Sequence, residues 1–200
     1  MSTSAATGFV MAGGRSLRMG RDKALLPWAG ATLIDHAVAR LREACPDVRI
    51  LSGPQARYAD RGVPAEPDVM VDAGPLGGLY TGLLHLHAGD AVALFLAVDL
   101  PLVPVELLRR LAVLAAGHDA AVPVAGDGPH PLCAAYRRSC LEAVQRCLQR
   151  GERRMTAFWP DVRVRRVSEA ELAPFGDPGR MLRNVNTLED YLDLIDATRQ

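Results

Sequence analysis

Apolar positions along this chain fall into short solid runs and spaced stripes, and that alternation predicts the elements. Phe9 to Ala12 is an apolar run of strand length that stops at Gly13-Gly14. Leu33, Ile34, Ala37, Val38 and Leu41 recur at helical spacing over 32–44, until Pro46-Asp47 breaks the pattern. Val48 to Leu51 is a second short strand, ended by Ser52-Gly53-Pro54. Strand, loop, helix, strand is the βαβ unit of a parallel sheet, and its crossover should be right-handed. Residues 54–77 are rich in Pro, Gly and Asp and read as an irregular loop with room for a short strand or helix. Gly78 to His87 reads as a helix. Ala91 to Val98 is the most apolar run of the chain; it predicts a central strand covered on both faces, ending at Asp99.

Val105 to Ala116 places Leu107, Leu108, Leu111 and Leu114 on one helical face. Ala120 to Val124 is a further strand. Gly126 to Pro131 is a turn or lid, after which Leu132 to Tyr136 returns antiparallel. Ser139 to Arg150 is a helix. Val162 to Val167 alternates apolar and basic residues, as an edge strand would. Thr187 to Ala197 is a last helix, with Thr187 as cap and Glu189-Asp190 favouring its N-terminal end. The sum is an α/β protein: a Rossmann-like three-layer fold with a mostly parallel central sheet and antiparallel strands in the C-terminal half. No repeat or linker divides residues 1–200, which read as one domain with halves at about 8–125 and 126–200.

Composition changes this picture little. Two hundred residues, 49% hydrophobic and 23% charged, suit one soluble domain with a sizeable core. Twenty-three basic residues balance 23 acidic ones, so no global field favours nucleic acid or a membrane, and any anion site must be local. No apolar run reaches the roughly 18 residues of a membrane span. Residues 1–7 lack the basic and apolar regions of a signal peptide. Cys45, Cys133, Cys140 and Cys147 form no Cys-x-x-Cys pair, so they read as reduced, mostly buried thiols of a cytoplasmic protein rather than a zinc site.

The chemistry concentrates after the first strand. Gly13-Gly14 lets the backbone turn and a ligand approach. Ser16, Arg15, Arg18, Arg21, Gly20 and Lys23 follow, so the loop offers backbone donors and its own cations to phosphates. It is not a Walker A loop, because Ala24 follows Lys23. Nor is it a dinucleotide fingerprint, which relies on a helix N-terminus and few charges. A solvated surface loop is the plainer reading. Asp99 comes straight after the central strand, at the sheet edge where open α/β folds place ligands. Facing a triphosphate it suits Mg²⁺, a hard cation that takes carboxylate and phosphate oxygens. A turn-forming Asp is the alternative.

Met11-Ala12-Gly13-Gly14-x-Ser16-x-Arg18-Met19-Gly20-x-Asp22-Lys23 resembles the signature of the nucleotidyltransferases that complete molybdenum cofactor, most closely the guanylyltransferase branch. The resemblance implies transfer of GMP from GTP to the terminal phosphate of molybdopterin, with release of pyrophosphate. It implies GTP binding by Met11, Ala12, Gly13, Gly14, Lys23, Asp68 and Asp99 in the first half. It implies catalytic roles for Arg18, Lys23 and Asp99, with Asp99 as the Mg²⁺ ligand, as in the family's Asp followed two residues later by Pro (Pro101). Asp68 with Gly74-Pro75-Leu76 matches the family's base-reading Asp and Gly-Pro-Leu segment, although Asp72 also fits the spacing. Where the family has an Asn after the second strand, this chain has Ser52-Gly53, and Ser52 is a candidate substitute donor.

In the second half, Gly151-Glu152-Arg153-Arg154 and Asn184-Val185-Asn186-Thr187 fall where the family holds the pterin and its phosphate. The resemblance thus makes Arg153, Asn184 and Asn186 molybdopterin ligands; a solvated helix end and a turn before the cap are the plainer readings. Pro129-His130-Pro131 resembles a segment lining the acceptor side. The implied partners are GTP, molybdopterin, proteins that deliver the cofactor, and chaperones of the apo-molybdoenzymes. Three rivals compete. The sister enzyme that uses CTP typically has Ala where Gly13 stands. A sugar-phosphate nucleotidyltransferase shares the loop chemistry. A carrier would bind GTP or cofactor without catalysis.

Overall fold

The computed structural model describes residues 6–13, 22–86 and 92–198, apart from the side chains of 197 and 198. In chain order the strands are β1 (Ala6–Met11), β2 (Pro27–Trp28), β3 (Ala31–Thr32), β4 (Asp47–Leu51), β5 (Ala65–Glu66), β6 (Val92–Ala97), β7 (Ala120–Ala125), β8 (Gly128–Pro129), β9 (Cys133–Tyr136) and β10 (Val164–Val167). The α-helices are α1 (Leu33–Ala44), α2 (Gly74–Leu84), α3 (Val105–Leu114), α4 (Leu141–Gln149), α5 (Glu169–Leu172), α6 (Pro178–Met181) and α7 (Leu188–Thr198).

The main sheet runs β10-β7-β9-β6-β1-β4-β5, with β8 paired to β7. β1 lies parallel to both β4 and β6, with Met11 level with Leu51 and Ala97. β5 continues this parallel set, with Glu66 level with Leu51. The chain therefore leaves the sheet on one edge after Met11, Leu51, Glu66 and Ala97, and four connections open side by side. β9 is antiparallel to β6 and to β7, as the apolar return after Pro131 predicted. β10 pairs parallel to β7 at the far edge.

β1 and β6 are buried along their whole length. Phe9 stacks on Phe95 with centroids 5.1 Å apart, and Phe95 meets Tyr136 edge-on at 5.7 Å. Helices cover both faces, α1 beside α3 and α2 beside α4. α1 starts where its stripe does, because Thr32 and Asp35 form a reciprocal capping box. The four cysteines are buried and unbridged, and burial pushes the thiols of Cys45, Cys133 and Cys140 up to about 12. Among the described residues no helix is long and apolar enough to cross a membrane.

Two regions differ from the sequence expectation. α2 begins at Gly74 rather than Gly78, because Pro75 sits in its first turn, where proline's fixed φ is an asset. Within the helix Gly82 serves closeness: a Cβ there would stand 2.6 Å from the Phe95 ring. The second difference is a small hairpin. β2 and β3 pair antiparallel across Ala29-Gly30, both at positive φ. Leu26, Trp28 and Leu33 there form a separate apolar cluster with Val185 and Leu194 from the chain's last segment. That satellite core fastens the end of the chain beside the end of the glycine loop.

Candidate active site

The site is built from the four connections at the sheet edge. The first leaves β1 at Ala12, whose N–H donates to Leu51 O at 2.9 Å. Gly13 follows against the connection after β4: a Cβ on Gly13 would stand 3.1 Å from Gly53 N. A side chain there would push the two backbones apart, which accounts for glycine at the start of the loop. Gly14 and Arg18 lie outside the described residues, as do the loop's other cations, Arg15 and Arg21.

The loop ends at Asp22, which caps a short 3₁₀ turn over Lys23–Leu25 by accepting from Ala24 N at 3.1 Å. The other oxygen of Asp22 accepts from the Tyr58 hydroxyl at 2.6 Å and the Arg57 guanidinium at 3.2 Å. So held, Lys23 extends its ammonium to Asp99 Oδ2 at 2.9 Å and to Asn186 Oδ1 at 3.2 Å. Three residues that the sequence singled out separately thus meet at one nitrogen.

Asp99 sits two residues beyond β6. Val98 N donates to Met11 O at 3.2 Å, and Asp99 O accepts from Val185 N at 2.8 Å. The turn is braced on one side by β1 and on the other by the final segment. Among the described residues, Asp99 Oδ1 is buried without a hydrogen-bond partner. A buried carboxylate oxygen left this way carries a desolvation cost that an incoming donor or cation removes. No group of three or more His, Cys, Asp or Glu able to hold a metal occurs among the described residues. A cation here would draw one protein oxygen from Asp99 and the rest from ligand and water, the arrangement Mg²⁺ favours with phosphates.

Asp68 sits two residues beyond β5, and its N–H donates to Gly53 O at 2.7 Å. Its Oδ1 is likewise buried without a partner, and burial alone pushes its carboxyl above the usual range. A Cβ on Gly78 would come 3.8 Å from that oxygen and 2.6 Å from Met11 Cε. Met11, Gly78 and Asp68 therefore form one wall. Asp72, the other acid that fitted the spacing, is exposed at positive φ in the turn before α2.

Ser52 does not offer the spare donor suggested for it. Its buried hydroxyl donates to Gln55 O at 2.6 Å and accepts from Arg57 N at 3.0 Å, folding the 52–57 turn. In the final segment Val185 is buried, while Asn184 is half-buried and Asn186 exposed, the alternation of an extended strand. Asp190 accepts from Asn186 N and Thr187 N, both at 2.9 Å, which fixes the strand at the start of α7. Those backbone donors lower the Asp190 carboxyl to about 2. Arg153 and Arg154 are exposed beyond α4, and no hydrogen bond among the described residues joins either to this cluster. His130 is buried with its ring 2.9 Å from Asp127, in the β7–β8 hairpin. Sequence reasoning placed Asp22 in the signature without a role and missed Arg57 and Tyr58. Adjacency to Lys23 was the available signal for the first; the other two lie in a loop without periodicity.

Comparison with known proteins bears on this arrangement. A family profile described as "MobA-like NTP transferase domain" matches residues 8–166. A probable molybdenum cofactor guanylyltransferase of Pelotomaculum thermopropionicum is 36% identical over 187 residues, 94% of this chain and 90% of that protein. Among solved structures, molybdopterin-guanine dinucleotide biosynthesis protein A of Archaeoglobus fulgidus superposes with a TM-score of 0.83 at 22% identity, covering 96% of this chain and 98% of the other. A manganese complex of Rv0371c from Mycobacterium tuberculosis superposes with a TM-score of 0.69 at 20% identity, covering 96% and 99%.

Proposed function

This chain belongs to the MobA-like NTP transferase family, and we propose that it transfers GMP from GTP to the terminal phosphate of molybdopterin, releasing pyrophosphate. The observation that carries the reading is the meeting of Lys23, Asp99 and Asn186 at one point. It joins the phosphate-binding loop, the candidate metal acid and the acceptor-side amide in one crevice. The names of the relatives support the nucleotide and the acceptor.

In this reading the backbone of Met11 to Gly14 and the Lys23 ammonium bind the β- and γ-phosphates. Asp68 reads the base. An ionised carboxylate can accept from guanine N1–H and N2–H₂ together, a pair of donors that cytosine lacks. Asn184 and Asn186 face the acceptor. An oxygen of the acceptor phosphate attacks the α-phosphorus in line, and the bond to the bridging oxygen of the leaving pyrophosphate breaks. The attacking oxygen is already ionised, so the protein's work is alignment and charge neutralisation rather than proton abstraction. Asp99 would hold Mg²⁺, which when bound neutralises charge on the phosphate oxygens. Lys23, paired with Asp99 Oδ2, is the cation placed to meet the phosphates. Arg18 adds a cation to the same loop. Arg153, exposed beyond α4, is proposed only as an outer contact for the acceptor.

Pyrophosphate release measured with GTP and with CTP, each with and without molybdopterin, tests this. The expected result is release that requires both GTP and molybdopterin. Release with CTP at an equal or higher rate would place the protein with the cytidylyltransferases. Release with a hexose 1-phosphate and not with molybdopterin would place it with the sugar-phosphate enzymes. Nucleotide binding with no release under any of these conditions would leave only a carrier.

A further inference from the structure

Arg57 lies in the connection after β4 and matches none of the motifs singled out in the sequence. Its guanidinium nevertheless spans the two ends of the glycine loop. One nitrogen, Nη2, donates to Ala12 O at 3.4 Å and to Ser52 O at 3.3 Å. The other, Nη1, reaches Asp22 Oδ2 at 3.2 Å. Tyr58 OH donates to the same Asp22 oxygen at 2.6 Å, and the guanidinium lies over the Tyr58 ring at 5.1 Å. Tyr58 adopts a left-handed backbone, φ 67°, that non-glycine residues seldom occupy. Such a conformation persists only where neighbours enforce it. Here its result is to turn the phenol and the guanidinium onto one carboxylate.

The consequence is geometric. Ala12 is the last residue before the loop and Asp22 the last residue within it. Holding both to one rigid fork fixes the loop's two ends relative to each other before any nucleotide arrives, and bringing two ends together carries an entropy cost that a ligand would otherwise bear. The same carboxylate caps the turn that starts at Lys23, so the fork also sets the root of the side chain that reaches Asp99. We propose that Arg57, with Tyr58 and Asp22, is a positioning device for the phosphate-binding loop: it fixes the loop's two ends, Ala12 and Asp22, for the triphosphate without touching the reacting atoms. This rests on the GTP-dependent reading above.

The test pairs kinetics with a measurement that does not need activity. In Arg57→Met, the KM for GTP should rise about tenfold, with kcat within about threefold and the KM for molybdopterin unchanged. Arg57→Lys keeps the charge but loses the fork, so its KM should fall between the two. In Asp22→Asn the fork has lost its anchor, and adding Arg57→Met should cost little more. Hydrogen exchange on the nucleotide-free protein should quicken about tenfold at Gly13, Lys23 and Ala24 in Arg57→Met, and stay unchanged in β1 and β6. Unchanged exchange at those amides overturns the proposal, as does an Arg57→Met penalty that persists in full when Asp22 is already Asn, since Arg57 would then act on the nucleotide itself. If the wild-type protein releases no pyrophosphate from GTP, the GTP reading falls while the exchange result still decides the fork.

Discussion

Asp68 and Asp99 invite comparison. Each stands two residues beyond a parallel strand on the same sheet edge, and each hides one carboxylate oxygen that has no hydrogen-bond partner among the described residues. Their surroundings differ. Asp99 keeps a cation, Lys23, on its other oxygen at 2.9 Å, so the pair sits ready for an exchange of positive charges. No described cation pairs with Asp68, and its carboxyl is pushed up by burial against Met11 and Gly78. The difference teaches a division of labour. A carboxylate already balanced by charge suits metal and phosphate, whereas one left to neutral neighbours suits the N–H edge of a base.

The largest effect should come from Asp99. Asp99→Ala is expected to lower GMP transfer about a thousandfold while the fold persists, because in the proposed reading Asp99 is the acid that would hold the metal. Near-normal turnover with Mg²⁺ would break the comparison outright. Next is Lys23→Met, with an expected loss of about a hundredfold. It should also bind Mn²⁺ more tightly than the wild type when nucleotide is absent, read by electron paramagnetic resonance, because Oδ2 is no longer occupied. Unchanged Mn²⁺ affinity would mean that the two cations do not share the acid.

Asp68→Asn sharpens the contrast from the other side. GTP kcat/KM should fall by about ten- to a hundredfold with CTP barely affected, as for a site that loses a hydrogen-bonding reader. The same change should raise Tm by about 1–3 °C, since it removes a desolvated charge. The sign with pH follows from the raised folded-state value. The cost of the ionised acid is complete above that value and disappears as pH falls to the ordinary carboxylate range. The Tm gain should therefore be greatest at neutral pH and vanish in acid. In the wild type, the KM for GTP should climb as pH falls through the raised value, and Asp68→Asn should flatten that climb. The smallest effect belongs to Asn186→Ala: a rise of about threefold to tenfold in the KM for molybdopterin, with the KM for GTP nearly constant, measured by varying each substrate in turn.

Much of this was legible in the chain itself. Runs and stripes marked β1, α1, β4, β6, α3 and β9, because burial on one or both faces writes itself into apolar spacing. The same runs placed Asp99 and the glycine loop on one edge. Asn184 and Asn186 could be paired by their alternation around Val185. What stayed hidden was mostly what depends on distant partners. The first turn of α2, residues 74–77, read as a loop because Gly74-Pro75 signals a turn in a sequence, whereas in the fold Pro75 opens the helix. The strands β2 and β3 were not read from the sequence because their apolar partners, Val185 and Leu194, lie at the other end of the chain. Arg57 and Tyr58 sit in an aperiodic stretch, and only the folded path of Asp22 gives them a task. Ser52, a candidate donor in the sequence, has its hydroxyl engaged in its own turn.

One hydrogen bond has a practical side. Val185 N holds the carbonyl of Asp99 at 2.8 Å. Material trimmed by a protease, or shortened by design, upstream of residue 185 would lose the brace on the acid as well as Asn186, the amide that meets Lys23. Such a preparation would fail at its first substrate, not only its second, and an intact-mass check belongs ahead of any titration.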